Sequence, residues 1–201
     1  MTVDVLEREA AVGTQADAVR VTLVEDEPCK LISFVKQFNE TVNSSTPISR
    51  VIVAYPDSPD PRDEKYRADS TLLREKLPGI EVTRITGVGE GLSLLRDIAR
   101  RETKTVFLMD YFLGELVYWD DRAATDLADK FVDGDQPWKD RVFVYTRWEG
   151  ATTEQAKERF QANFIPAAVD TNSGLEIWPQ VGQSRKFSRV LQALGRLEPG
   201  S

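Results

Sequence analysis

Apolar positions in the chain fall into short, dense runs separated by longer stretches in which they recur with a helical period. Val19-Arg-Val-Thr-Leu-Val24, Arg50-Val-Ile-Val-Ala-Tyr55, Thr105-Val-Phe-Leu-Met-Asp110 and Arg141-Val-Phe-Val-Tyr145 are rich in β-branched and aromatic residues, and they read as strands. The Thr105 to Asp110 run is apolar without alternation until its last residue, which predicts a strand buried on both faces. Ile80-Glu-Val-Thr-Arg-Ile85 alternates and predicts a strand exposed on one face. Phe164 to Val169 is a further strand, and Pro166 inside it argues for the edge of a sheet.

The intervening stretches predict helices. Pro28 suits the first turn of one whose apolar face is Leu31, Ile32, Phe34, Val35 and Phe38. Residues 62–77 form a charged helix stopped by Pro78-Gly79, and residues 87–101 one that carries Leu92, Leu94, Leu95 and Ile98. Helices are also expected over 123–132, 152–161 and 184–197, with loops over 56–61, 115–122, 133–137 and 170–183. Strand and helix alternate throughout, so the expected fold is α/β, a doubly wound parallel sheet with helices on both faces. One domain over 19–197 is expected, preceded by a loosely ordered arm at 1–18 and followed by a tail at 198–201.

Composition narrows the chemistry. The 201 residues are 41% hydrophobic and 29% charged, ordinary for a globular protein, and no apolar run approaches the length that spans a bilayer. The N-terminus has no basic segment leading into an apolar one, so no secretory signal is expected, and Cys29, the single cysteine, allows no internal disulfide. Both suit the cytoplasm. A net charge of −7 gives no basic footprint for nucleic acid, and Arg185, Lys186, Arg189 and Arg196 read as a solvated helix face. With no histidine, the chain lacks Ser-His-Asp and Cys-His catalysis, imidazole-bound zinc and phosphohistidine transfer. A metal here must be held by oxygen, which favours Mg²⁺, Mn²⁺ or Ca²⁺.

Candidate chemistry gathers at strand ends. The first strand delivers Glu25 and Asp26, the Thr105 run delivers Asp110, and the Arg141 run delivers Thr146. Open α/β sheets bind ligands at the carboxyl ends of their strands. Three carboxylates meeting there repel unless a proton or a cation intervenes, and a hard divalent ion resolves the conflict.

These pieces, Leu23-Val-Glu-Asp-Glu-Pro28, Val106-Phe-Leu-Met-Asp110 with Gly114, and Val142-Phe-Val-Tyr-Thr146, resemble the receiver domain of bacterial response regulators over roughly residues 19–197. The resemblance implies a flavodoxin-like sheet of order 2-1-3-4-5 with one added strand–helix unit at 50–79. It implies two-component signalling, with Asp110 as phosphoacceptor and a Mg²⁺ ion held by Glu25, Asp26, Asp110 and the backbone carbonyl of Phe112. Asp26 would be a direct ligand and Glu25 one acting through water. Thr146 would be the switch hydroxyl. A histidine kinase or a downstream effector is the implied partner, with a homodimer as the alternative and neither nucleic acid nor membrane contacted directly.

The chain departs from the family pattern. The lysine expected after the last strand is missing from Phe164-Ile-Pro-Ala-Ala-Val-Asp-Thr171, and Lys186 lies well beyond it. The small residue expected after Thr146 is Arg147, followed by Trp148. Arg147 either replaces the lysine or gates the pocket. Trp119, Trp148 and Trp178 follow strands and are candidates for an apolar rim or partner surface, against the plainer reading that each caps the core. Two other readings stand beside the receiver. One is a Mg²⁺-dependent phosphohydrolase with Asp110 as nucleophile, disfavoured because Phe112 stands where such enzymes carry a second acid. The other is a pure interaction domain with a vestigial acidic pocket, while the receiver reading itself includes a pseudo-receiver that regulates through protein contacts alone.

Overall fold

A computed structural model describes residues 19–26, 31, 32, 34–36, 38, 48–54, 73–113, 123–146, 151–166, 168, 169, 176, 177 and 192. The strands are β1 (Arg20–Glu25), β2 (Ile48–Ala54), β3 (Glu81–Ile85), β4 (Thr105–Asp110), β5 (Val142–Thr146), β6 (Phe164–Pro166), β7 (Ala168–Val169) and β8 (Glu176–Ile177). Among the described residues the helices with defined bounds are α1 (Val88–Arg101), α2 (Ala123–Phe131) and α3 (Ala151–Phe160). Leu31, Phe34, Val35 and Phe38 are also helical, as are the residues from Leu73 to Lys76. The fold is α/β, with a six-stranded, all-parallel sheet.

The sheet order is β3-β2-β1-β4-β5-β6, which corrects the expected 2-1-3-4-5 arrangement with an added strand. β2, from the supposed insertion, pairs with β1 over Val21 to Glu25 and separates it from β3. The physical reason lies in the two sequences. Val51 to Ala54 are all buried, which suits a strand covered on both faces, whereas β3 carries exposed Glu81 and Arg84 and suits an edge. Two smaller corrections concern the end of the sheet. β6 does lie at its edge, but the predicted strand over 164–169 stops at Pro166, and β7 pairs antiparallel with β8 in a separate two-stranded sheet. β8 falls in a stretch expected to be loop. The arm at 1–18, most of the helix at 62–77 and all but Gln192 of the one at 184–197 lie outside the described residues.

Alternate side chains of the central strands feed two cores. Val24, Ile52, Phe107, Met109, Val142 and Val144 pack against α1, α2 and α3 through Leu95, Ile98, Leu127, Phe131 and Phe160. Val21, Leu23, Val51, Leu108 and Phe143 face the other way, onto Leu31, Phe34, Val35, Phe38, Leu73 and Leu77. Helices therefore cover both faces, as the alternation of elements requires. α1 lies close to its neighbours because residue 91 is glycine. A β-carbon there would sit 2.8 Å from Ile85 Cδ1 and 3.0 Å from Leu127 Cδ1. Just before the Gly87 N-cap of this helix, Thr86 donates its N–H and hydroxyl to Glu90 of the first turn, at 2.8 and 2.9 Å, and Arg100 and Arg101 complement the dipole at the other end.

The amino edge of the sheet is tied by ions. Arg50, buried within β2, donates to both oxygens of Glu102 at 3.1 and 2.9 Å and to Glu81 at 2.9 Å. Arg20 approaches Glu102 at 3.5 Å, and Thr105 Oγ1 donates to Glu102 at 2.8 Å. The Arg141 guanidinium closes the end of α1 by donating to the carbonyls of Ala99, Glu102 and Thr105. One carboxylate thus joins β1, β2 and β4.

Burial alone would push the Glu102 carboxyl up, but hydrogen bonds from Arg50 and Thr105, with the charges of Arg50 and Arg20, hold it below its ordinary 4.5. A carboxyl depressed on folding stabilises fully above its unfolded value, and that stability is lost as the pH falls through the folded one. Glu102→Ala, which leaves the buried Arg50 with one carboxylate fewer, should cost about 3 kcal/mol in urea unfolding at neutral pH. The stability gap between the wild type and Glu102→Gln should narrow as the pH falls below 4.5; a gap independent of pH would show that the charge of Glu102 is not what counts.

Candidate functional site

The order 3-2-1-4-5-6 places the reversal of strand progression between β1 and β4. From β1 the chain builds outward through β2 to β3, then returns to lay β4 on the free side of β1. Helices connecting strands on opposite sides of this point leave a crevice at the carboxyl edge. β1 ends at Glu25 and β4 at Asp110, so the acidic residues flank that crevice.

The structure brings Glu25, Asp26 and Asp110 together. One carboxylate oxygen from each lies within 4.8 Å of the other two, and the residues are only 1%, 4% and 5% exposed. Register explains the grouping. Leu23 pairs with Leu108, and Leu108 with Phe143, all in the core that contains Phe34. Two residues further on, on the same face by strand alternation, come Glu25, Asp110 and Tyr145. Asp26 follows immediately in a bend.

Backbone and phenolic hydrogens hold the acids in place. The Asp26 N–H donates to Glu25 Oε1 at 3.0 Å, and the Phe112 N–H donates to Asp110 Oδ1 at 2.9 Å. The Tyr145 hydroxyl donates to Glu25 Oε2 at 2.9 Å, with the Val24 carbonyl a more distant acceptor at 3.4 Å. The Tyr145 ring stacks on Phe34, centroids 5.8 Å apart and planes 18° from parallel. Burial, then the charges of Glu25 and Asp110, the hydrogen bond to Glu25 and the charge of Asp26 push the Tyr145 phenol well above its ordinary 10.0. It therefore stays neutral and keeps its proton to donate.

Asp110 is also anchored through its neighbour. The Tyr111 N–H donates to the Tyr145 carbonyl at 2.7 Å, extending the β4–β5 ladder past Asp110. The buried Tyr111 ring meets Phe160 edge-on, and its hydroxyl donates to Asp129 of α2 at 3.1 Å. The chain leaving the site is thereby fixed to both α2 and α3.

Of the other predicted site residues, Thr146 closes β5 and pairs with Pro166; its side chain lies outside the described residues. So do Arg147, Lys186, Cys29 and the tryptophans at 119, 148 and 178. Phe112 meets Asp110 through its N–H, a contact distinct from the carbonyl role expected of it. Tyr145 was read only as a strand residue. A signal for it existed, since a buried tyrosine needs a partner for its hydroxyl, but the strand register that names Glu25 as the partner is not legible in one sequence.

The donor set is all oxygen and anionic, which fits a hard divalent cation and not a thiophilic one. No family model, curated protein or solved structure matches the chain. Among the described residues, no helix is long and apolar enough to cross a membrane.

Two unit charges 4.8 Å apart repel by about 3 kcal/mol at an effective dielectric near 20, before the hydrogen bonds offset part of it. Asp110→Asn keeps an acceptor for the Phe112 N–H and removes the charge. In metal-free buffer it should raise unfolding stability by about 1–2 kcal/mol, read from urea or thermal melts. A loss of stability would instead show that the other contacts of Asp110 outweigh its repulsion by Glu25 and Asp26.

Proposed function

We propose that this chain is a divergent receiver-type signalling domain, in which Asp110 accepts a phosphoryl group with the help of Mg²⁺. The observation that carries the reading is the convergence of three buried carboxylates from the ends of β1 and β4 at the point where strand order reverses. Buried acids this close are costly to maintain, and clefts are where such cost is associated with chemistry. The order of the pieces along the chain, acidic pair, strand-terminal aspartate, strand-terminal threonine, supports the same reading.

In that role an oxygen of Asp110 forms a bond to phosphorus while the bond from phosphorus to the donor's leaving atom breaks, an imidazole nitrogen for a phosphohistidine or an oxygen for an acyl phosphate. Glu25, Asp26, Asp110 and the Phe112 carbonyl would hold the ion. Mg²⁺, when bound, supplies positive charge to the phosphoryl oxygens and relieves the repulsion among the acids. The Phe112 N–H orients Asp110 by holding Oδ1. Thr146 would offer its hydroxyl to a phosphoryl oxygen, and Arg147 would either replace the missing lysine or gate the pocket. With no lysine between 164 and 171, the phosphoryl group loses a fixed cation worth several kcal/mol at a dielectric of about 20. The protein partner would be a histidine kinase acting upstream or an effector downstream, and output would pass to the effector over the surface near Thr146, 164–171 and the last helix. The hydrolase reading is weaker, because Phe112 offers no general acid two residues after Asp110.

The test is incubation with a small-molecule phosphoryl donor and Mg²⁺, followed by intact-mass measurement. A stable gain of one phosphoryl group that Asp110→Asn abolishes is expected. Donor turnover without accumulation would indicate a hydrolase, and neither adduct nor Mg²⁺ binding would reduce the chain to a pseudo-receiver. Arg147→Ala should change the labelling rate, upward if Arg147 gates the pocket and downward if it replaces the lysine; an unchanged rate would remove it from both roles.

A further inference from the structure

The resemblance that guided the site assigns nothing to Tyr145, and the strand pattern treats it as core. Its hydroxyl nonetheless ends among the acids. β5 and β1 lie on either side of β4, so their backbones are two strand spacings apart, about 9.6 Å. Tyr145 is level with Asp110 in the ladder, and its ring passes over β4 to reach Glu25 on β1. A shorter hydroxyl side chain at this position would not cover that distance, and phenylalanine would bring no donor.

The consequence for Glu25 is specific. Oε1 accepts the Asp26 N–H at 3.0 Å and Oε2 accepts the Tyr145 hydroxyl at 2.9 Å, so the carboxylate is held at both ends. The phenol is held in turn, since it is 3% exposed and stacked on Phe34, which stacks on Phe38. A rigid aromatic pillar thus runs from the helical residues Phe34 and Phe38 to the acidic centre. Partners of this kind, which touch a ligand residue and not the ion, commonly set the orientation of metal-binding carboxylates.

We infer that Tyr145 is a positioning residue for the acidic centre, its hydroxyl fixing the pose in which Glu25 meets a divalent cation shared with Asp26 and Asp110. This rests on the metal-binding part of the function proposed above. A buried hydroxyl that only satisfied itself in the core would leave cation binding unaffected when removed.

The experiment is calorimetric titration of the full chain with MgCl₂, for wild type, Tyr145→Phe, Glu25→Gln and the double variant, with thermal unfolding of each as a check of folding. Tyr145→Phe should weaken Mg²⁺ binding about tenfold. In the Glu25→Gln background the same substitution should change affinity less than about twofold, because the hydroxyl acts through Glu25. Phe34→Leu, which disturbs the ring stack and keeps the hydroxyl, separates packing from positioning: its effect on affinity should stay well below that of Tyr145→Phe. Unchanged binding in Tyr145→Phe, or an equal loss with and without Glu25, would overturn the inference while leaving the metal site standing. No Mg²⁺ binding by the wild type would instead overturn the metal reading itself, and this inference with it.

Discussion

The pairing of β1 with β4 is the contact on which both the sheet and the site depend. It joins the two halves of the parallel sheet, with Val21 to Val24 set against Val106 to Met109, and none of these residues is exposed. The same register carries Glu25 and Asp110 to one level at the carboxyl edge. A slip by one residue would turn every side chain of one strand to the opposite face. It would mismatch two cores and separate the acids at once. Burial on both faces therefore does more than stabilise: it leaves a single register in which the carboxylates can meet.

Much of this was legible in the pattern of the chain, and the parts that were not share a cause. The buried runs at 20–24, 51–54, 105–110 and 142–145 declare themselves by apolar density, and β3 declares its partial exposure by alternation, while its edge position comes from the sheet order. Strand order does not follow from the family resemblance, which makes 50–79 an addition to a known sheet. The apolar character of Val51 to Ala54 already argued for a central place, and β2 has it. Pairwise chemistry across strands was hidden. Arg50 with Glu102 and Tyr145 with Glu25 are separated by 52 and 120 positions, and no local spacing connects them. Glu25, Asp26 and Asp110 were legible because each ends a strand, where topology does the work of bringing distant residues together.

The two edges of the sheet handle buried charge differently. At the amino edge, guanidinium groups from β1 and β2 meet carboxylates at Glu81 and Glu102, and the arrangement ties strands that have no reason to move. At the carboxyl edge three acids converge, and the hydrogens directed at Glu25 and Asp110 include those of two backbone amides and a phenol. Amides and phenols orient a carboxylate without cancelling its charge. The first edge gains from being fully paired in the folded chain. The second gathers three anionic oxygen donors at one point, which on the function proposed above is what a divalent cation would meet.

That distinction bears on the missing lysine. In a receiver pocket two tasks can be separated: holding the acids in position, and opposing the negative charge of the phosphoryl group once it is attached. Tyr145, the Asp26 amide and the Phe112 amide serve the first task, and the tight geometry of the three carboxylates is the result. None of them can serve the second, because none carries charge. On the function proposed above, divergence from the family therefore falls on the retention and read-out of the phosphoryl group and not on the assembly of its acceptor site. Replacing any one of the three buried acids with an apolar side chain would remove both repulsion and desolvation cost, so their gathering within 4.8 Å is a cost that a compensating positive charge offsets. On that proposal, the charge opposite the phosphoryl group is left to the Mg²⁺ ion and to whatever Arg147 contributes.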